Sequence, residues 1–92
     1  MAARPQVITG PNVPPTLGPY SAAVRVGDLL FVAGQAGIDP ATGQPAGGSF
    51  GEQARQVFRN LDAVLRAAGS DPTLVVNTTV LVADVSSFAE LN

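Results

Sequence analysis

Few side chains in this chain are equipped for chemistry. It contains no His and no Cys, which removes imidazole bases, thiolate nucleophiles and the usual zinc ligand sets. Seven acidic residues remain, and each has an ordinary structural explanation. Asp28 and Asp39 fall in turns, Glu52 and Glu90 in helix caps, and Asp62 on a helix surface. Asp71 precedes Pro72, and Asp84 closes an apolar run. No two of them are spaced as an acid/base dyad. Two neighbourhoods stand apart: the sole tyrosine, Tyr20, in GPYS (18–21), and Gly34 in VAGQAG (32–37). A phenol donates and accepts at one atom. Glycine inside a strand pattern marks the close approach of a ligand or another backbone. Each has a structural alternative, Tyr20 as a ring tucked over a loop and Gly34 as a bulge or strand end. Gly34-Gln35-Ala36-Gly37 has no phosphate-cradling helix placed behind it, so a nucleotide site is weakly supported.

The elements that must position these residues follow from periodicity. QVIT (6–9) reads as a short strand, and the proline-rich GPNVPPTLGP after it as an ordered loop. Apolar runs at 22–26 and 29–35 are separated only by Gly27-Asp28, a two-residue hairpin in which glycine supplies a positive φ. DPATGQ (39–44) is a second turn. Over 49–68 a Ser49/Glu52 capping box opens an amphipathic helix whose apolar stripe is Ala54, Val57, Phe58, Leu61, Val64, Leu65 and Ala68, with Gly69 at the stop position. Arg55, Arg59, Asp62 and Arg66 form its solvated face. The β-branched run 73–84 reads as a strand that is apolar on both faces. One helix covers only one of those faces, so the other is expected to meet a second subunit. Ser87 and Glu90 predict a further helix start. The order β-β-β-α-β, with a second α begun, predicts an α+β sandwich of mixed sheet with helices on one face.

Ninety-two residues make one domain, 46% apolar and 13% charged, a balance that excludes disorder. The five Arg, no Lys and net charge of −2 argue against nucleic acid as a partner. No apolar stretch approaches a membrane span or a secretory leader. The expected setting is cytoplasmic.

The segments GPYSAAV, VGDLLFVAGQ, IDPATGQ, EQARQVFRNLDAVLRAAG and VVNTTVLVADVSSFAELN, in this order and spacing, resemble the RidA/YjgF family. These are the reactive-intermediate deaminases once labelled endoribonuclease L-PSP. The resemblance implies a chorismate-mutase-like fold assembled as a homotrimer. It also implies cofactor-free and metal-free hydrolysis of enamine/imine intermediates, such as 2-aminoacrylate, 2-iminopropanoate and 2-iminobutanoate, to 2-oxo acids and ammonia. By the same resemblance, the substrate-binding positions are Tyr20, Ala33, Gly34 and Asn92. Tyr20 would wall the pocket, Gly34 offer backbone groups and Asn92 an amide. Many members carry Ser where this chain has Ala33, so one hydroxyl contact is missing.

Family chains continue past the second helix into two more strands, which carry an Arg that pairs the substrate carboxylate and an acid that holds the attacking water. Residues 1–92 are therefore expected to be a single domain of this family lacking its C-terminal part, incapable of the deamination alone. The alternative is a non-catalytic ligand-binding or interaction module of the same superfamily. RNA cleavage, suggested by the older family label, ranks last given the acidic charge and the lack of His.

Overall fold

The computed structural model describes residues 4–91. Gly27 adopts φ 58°, the left-handed region open to glycine at little cost, and turns strand β2 (Ala23–Val26) back onto β3 (Leu29–Val32). The pairing runs from Val26↔Leu29 at the turn to Ala23↔Val32. Strand β1 (Gln6–Val7) adds antiparallel to β2, and the Ile8 N–H extends the ladder to the Ala23 carbonyl at 3.0 Å. The order is β1-β2-β3. The Asp39–Gln44 turn closes a smaller loop: the Asp39 carboxylate accepts from the Ala41 N–H at 2.9 Å, and Gly43 donates to the Asp39 carbonyl at 2.8 Å.

Helix α1 (Phe50–Ala67) begins at the expected Ser49 cap, whose hydroxyl oxygen accepts from the Glu52 N–H at 3.1 Å. The Glu52 carboxylate returns to the Ser49 hydroxyl at 3.0 Å. At the other end Gly69 takes φ 77°. Ser70 then donates to the Leu65 carbonyl and Gly69 to that of Arg66, a Schellman stop. Arg25 on β2 donates to the Ala68 carbonyl, placing a cation at the negative end of the helix. Asp62 and Arg66 pair at 2.9 Å on the exposed face, a contact of small energetic value.

The helix packs on one face of the sheet. Val64 and Ala68 meet Ile8, Ala22 and Ala23, with Val13, Leu30 and Val32 at the margin. Cross-strand pairing puts Val7, Val24, Val26, Leu29 and Phe31 together on the other face. None of these five is buried.

The α+β class stands, but the crossover strand does not form. Residues 72–74 make a single 3-10 turn (Pro72–Leu74), and 75–84 enter no ladder among the described residues. The sheet is accordingly antiparallel throughout rather than mixed. A β-branched run favours extended backbone, but a strand also needs an adjacent edge to satisfy its N–H and C=O groups. Here the run lies in the open, with Val76 98% and Leu81 91% exposed. The expected Ser87 cap is also displaced. Asp84 caps a 3-10 turn (Val85–Ser87), accepting from the Ser86 N–H at 3.0 Å, and helix α2 (Phe88–Leu91) follows. Asp84 takes both the N–H and the hydroxyl of Ser86, and Ser87, as the last residue of a turn that runs straight into α2, does not stand at a cap.

Two carboxyls titrate abnormally. The Thr73 hydroxyl and N–H hold Asp71 below its ordinary range, and the Ser86 N–H and hydroxyl do the same for Asp84. Both are easier to ionise folded than unfolded. The stability they add is complete above about pH 4 and is lost as pH falls through their lowered folded values. Replacing both by Asn should flatten the acid limb of the stability–pH curve, measured by urea denaturation; an unchanged limb contradicts the assignment. The open run generates a second expectation. Val76→Lys with Leu81→Lys should reduce concentration-dependent light scattering by interrupting an apolar strand-former, with no loss of helix by circular dichroism.

Candidate functional site

The loop before β2 and the chain leaving β3 meet over helix α1. Tyr20 lies in the loop, 49% exposed, its hydroxyl oxygen accepting from the Leu17 N–H at 3.4 Å. The phenolic hydrogen is left free to donate. Beyond β3 the Ala33 N–H still bonds the Ala22 carbonyl at 2.9 Å. Past that point, among the described residues, the N–H groups of Gly34, Gln35 and Ala36 have no partner. A shallow cleft of about 50 Å³ brings the two segments together, lined by Pro14, Leu17, Tyr20, Gly34, Gln35 and Asn60 among others.

Tyr20 and Gly34 therefore share one cleft. Ala33 is half-buried just behind it and does not line it. Asn92 lies outside the described residues. The space around Gly34 is open: a methyl group there would meet nothing within 4 Å. The close approach expected of Gly34 occurs instead at Gly37, where an added Cβ would stand 2.6 Å from the Gln53 carbonyl oxygen of α1.

Asn60 is the residue that sequence reasoning missed. It is buried, 3% exposed, and fully bonded. Its Nδ2 donates to the carbonyls of Ile38 at 2.9 Å and Ala36 at 3.3 Å. Its Oδ1 accepts from Gln56 Nε2 at 2.8 Å. Such bonds each contribute about 0.5–1.5 kcal/mol net, and leaving one end unpaired costs about 1–3. The signal was present, since Asn60 stands four residues before Val64 on the apolar stripe, where an amide must find partners inside.

The cleft thus offers one phenol, unpaired backbone N–H groups and an apolar proline rim. That set suits a small planar molecule bearing an anionic or carbonyl oxygen. Among the described residues neither carboxylate nor guanidinium lines it, and no three His, Cys, Asp or Glu side chains converge on a metal-sized site. A larger opening of about 210 Å³, around Arg25, Asp28 and Ser70, lies at the hairpin turn beside the C-terminal end of α1.

The model of the family described as Endoribonuclease L-PSP matches residues 10–92. The chain belongs to this RidA/YjgF family. It is 52% identical over 81 residues to the RutC family protein y4sK of Sinorhizobium fredii, covering 88% of this chain. It is 44% identical over 87 residues to human 2-iminobutanoate/2-iminopropanoate deaminase, covering 95%. Both matches span 64% of the relative's own length. The crystal structure of YyfA, a Rid-family protein from Yersinia pestis, superposes with a TM-score of 0.90 at 34% identity, over 96% of this chain and 70% of that one. Among the described residues no helix is long and apolar enough to cross a membrane.

Gly37 and Gly34 give opposite expectations in this RidA/YjgF chain. Gly37→Ala should cost about 1–3 kcal/mol, because segment 36–38 must lift off α1. Gly34→Ala should change stability by no more than about 0.5 kcal/mol. Thermal denaturation of the two variants checks the pair; equal losses would mean that Gly37 is not set against the helix.

Proposed function

We propose that this chain supplies the Tyr20–Gly34 wall of a site for hydrolytic deamination of 2-imino acids, such as 2-iminopropanoate and 2-iminobutanoate, to 2-oxo acids and ammonia. The supporting observation is the union of Tyr20 and Gly34 in one cleft, in a chain 44% identical to the human deaminase of that name. In this reaction water adds to the C=N carbon, and the resulting carbinolamine expels ammonia to leave the C=O group. The free N–H groups at 34–36 would hold the substrate carboxylate or the developing oxygen. The Tyr20 hydroxyl would orient the imine or the water. Ala33 would back the strand end without offering a hydroxyl, and Asn92 would add an amide. No cofactor enters the scheme.

A second reading, a ligand-binding module without catalysis, is favoured by the positions of the Arg residues. Arg25 is committed to the Ala68 carbonyl and Arg66 to Asp62. No guanidinium lines the cleft among the described residues, although a bidentate Arg is the strongest clamp for a carboxylate. The apolar sheet face of Val7, Val24, Val26, Leu29 and Phe31 supports a homotrimer, and the absence of Cys fits a cytoplasmic setting.

The test generates 2-iminopropanoate in situ and follows the release of pyruvate and ammonia. The chain is assayed alone and joined to the C-terminal third of the human relative. The joined form should accelerate release, and Tyr20→Phe within it should lower kcat/KM about ten-fold. The chain alone should bind pyruvate without acceleration. A joined form that binds pyruvate but never accelerates release would favour the module.

A further inference from the structure

The free N–H groups of the cleft are held in place from behind. Segment 34–38 has left the ladder of β3 and belongs to no strand. Among the described residues it makes one isolated bridge, Ile38↔Pro45. From one side residues 44–46 hold it, the Ala46 N–H donating to the Gly37 carbonyl at 2.9 Å; from the other it is fixed by helix α1. Gly37 rests against the Gln53 backbone, and Asn60 Nδ2 bonds the carbonyls on either side of Gly37, at Ala36 and Ile38. Both hydrogens of the amide are used, and Gln56 fixes its orientation by bonding Oδ1. The three-residue turn closed by Ile38 N–H to the Ala36 carbonyl at 2.8 Å is thereby clamped at both carbonyls. The peptide planes of Gly34, Gln35 and Ala36 lead into that clamp, and Asn60 itself reaches the cleft wall.

We propose that Asn60 is the positioning residue of the cleft, setting the Gly34–Ala36 amides at the angle that a substrate carboxylate or carbonyl requires. The role rests on the reading of the cleft as a 2-imino/2-oxo acid site. An Asn placed only to satisfy the core would have no influence on the cleft's affinity. A positioning Asn controls affinity even where overall stability is preserved, because misaligned donors lose the strength of preorganised ones.

The experiment titrates the 15N-labelled chain with pyruvate and follows the amide signals of Gly34, Gln35 and Ala36. Asn60→Asp keeps the shape but sets an acceptor against two carbonyls; Gln56→Met removes only the orienting bond and guards against failure of the first variant to fold. Val64→Ala serves as a core variant that loses buried volume but keeps every bonding group of the clamp. Asn60→Asp should weaken pyruvate about ten-fold and Gln56→Met about three-fold, while Val64→Ala stays within about two-fold. Wild-type affinity in both clamp variants, or equal weakening in Val64→Ala, overturns the proposal. If wild type itself ignores pyruvate, the deaminase-site reading falls. Hydrogen exchange at Ala36, Gly37 and Ile38 then decides the clamp. Exchange about ten-fold faster in the clamp variants than in Val64→Ala upholds it, and equal exchange overturns it.

Discussion

Everything in this molecule depends on the contact of Val64 and Ala68 with Ala22 and Ala23. These four, with Ile8, are the buried hydrophobic core. Alanines on both sides let helix and sheet approach closely, which is what brings Asn60, one turn before Val64, within bonding distance of the chain leaving β3. A larger side chain at 22 or 23 would hold the helix away, and the carbonyls of Ala36 and Ile38 would lose their donor. The cleft is therefore a consequence of small residues at the seam as much as of the residues that line it.

The rest of the apolar surface is unevenly distributed. Only part of the helical stripe is covered: Asn60, Val64 and Ala68 are buried, while Phe58 is half exposed. The far sheet face is partly open and the run 75–84 more so. Hydrophobic burial is the main favourable term in folding, and much of what this chain could contribute is unused within one copy. This is the physical content behind a trimeric reading, in which the open faces of neighbouring copies would cover one another.

What could be read from the sequence was whatever a few neighbouring residues decide. Gly27-Asp28 sets a hairpin by dihedral preference alone. Ser49, Glu52 and Gly69 bound a helix by local hydrogen bonds, and the structure places each where the spacing put it. Tyr20 stands out as the sole tyrosine and Gly34 as a glycine inside a strand pattern, and they share a cleft. The failures are all cases in which a distant or competing partner decides. Residues 75–84 have the composition of a strand but lie in the open, paired with neither edge of the sheet. Ser87 loses its cap position because a 3-10 turn begun at Asp84 takes it in and leads straight into α2. Asn60 is polar on an otherwise apolar stripe, and its partners lie 22 and 24 positions away.

The Arg25 bond to the Ala68 carbonyl has a mechanical meaning. The hairpin is tied to helix α1 at its turn-proximal end by Arg25 and, beyond its other end, by Asn60 holding residues 36 and 38. Eight residues of helix separate the two ties, about 12 Å at the α-helical rise. A body held at one point can pivot in any direction; held at two, it can turn only about the line that joins them. Sliding the helix by even one residue, or rocking it across the ribbon, would break a bond at one end or the other. The helix therefore acts as a fixed spacer, making the distance from the hairpin tip to the cleft a structural constant of the chain.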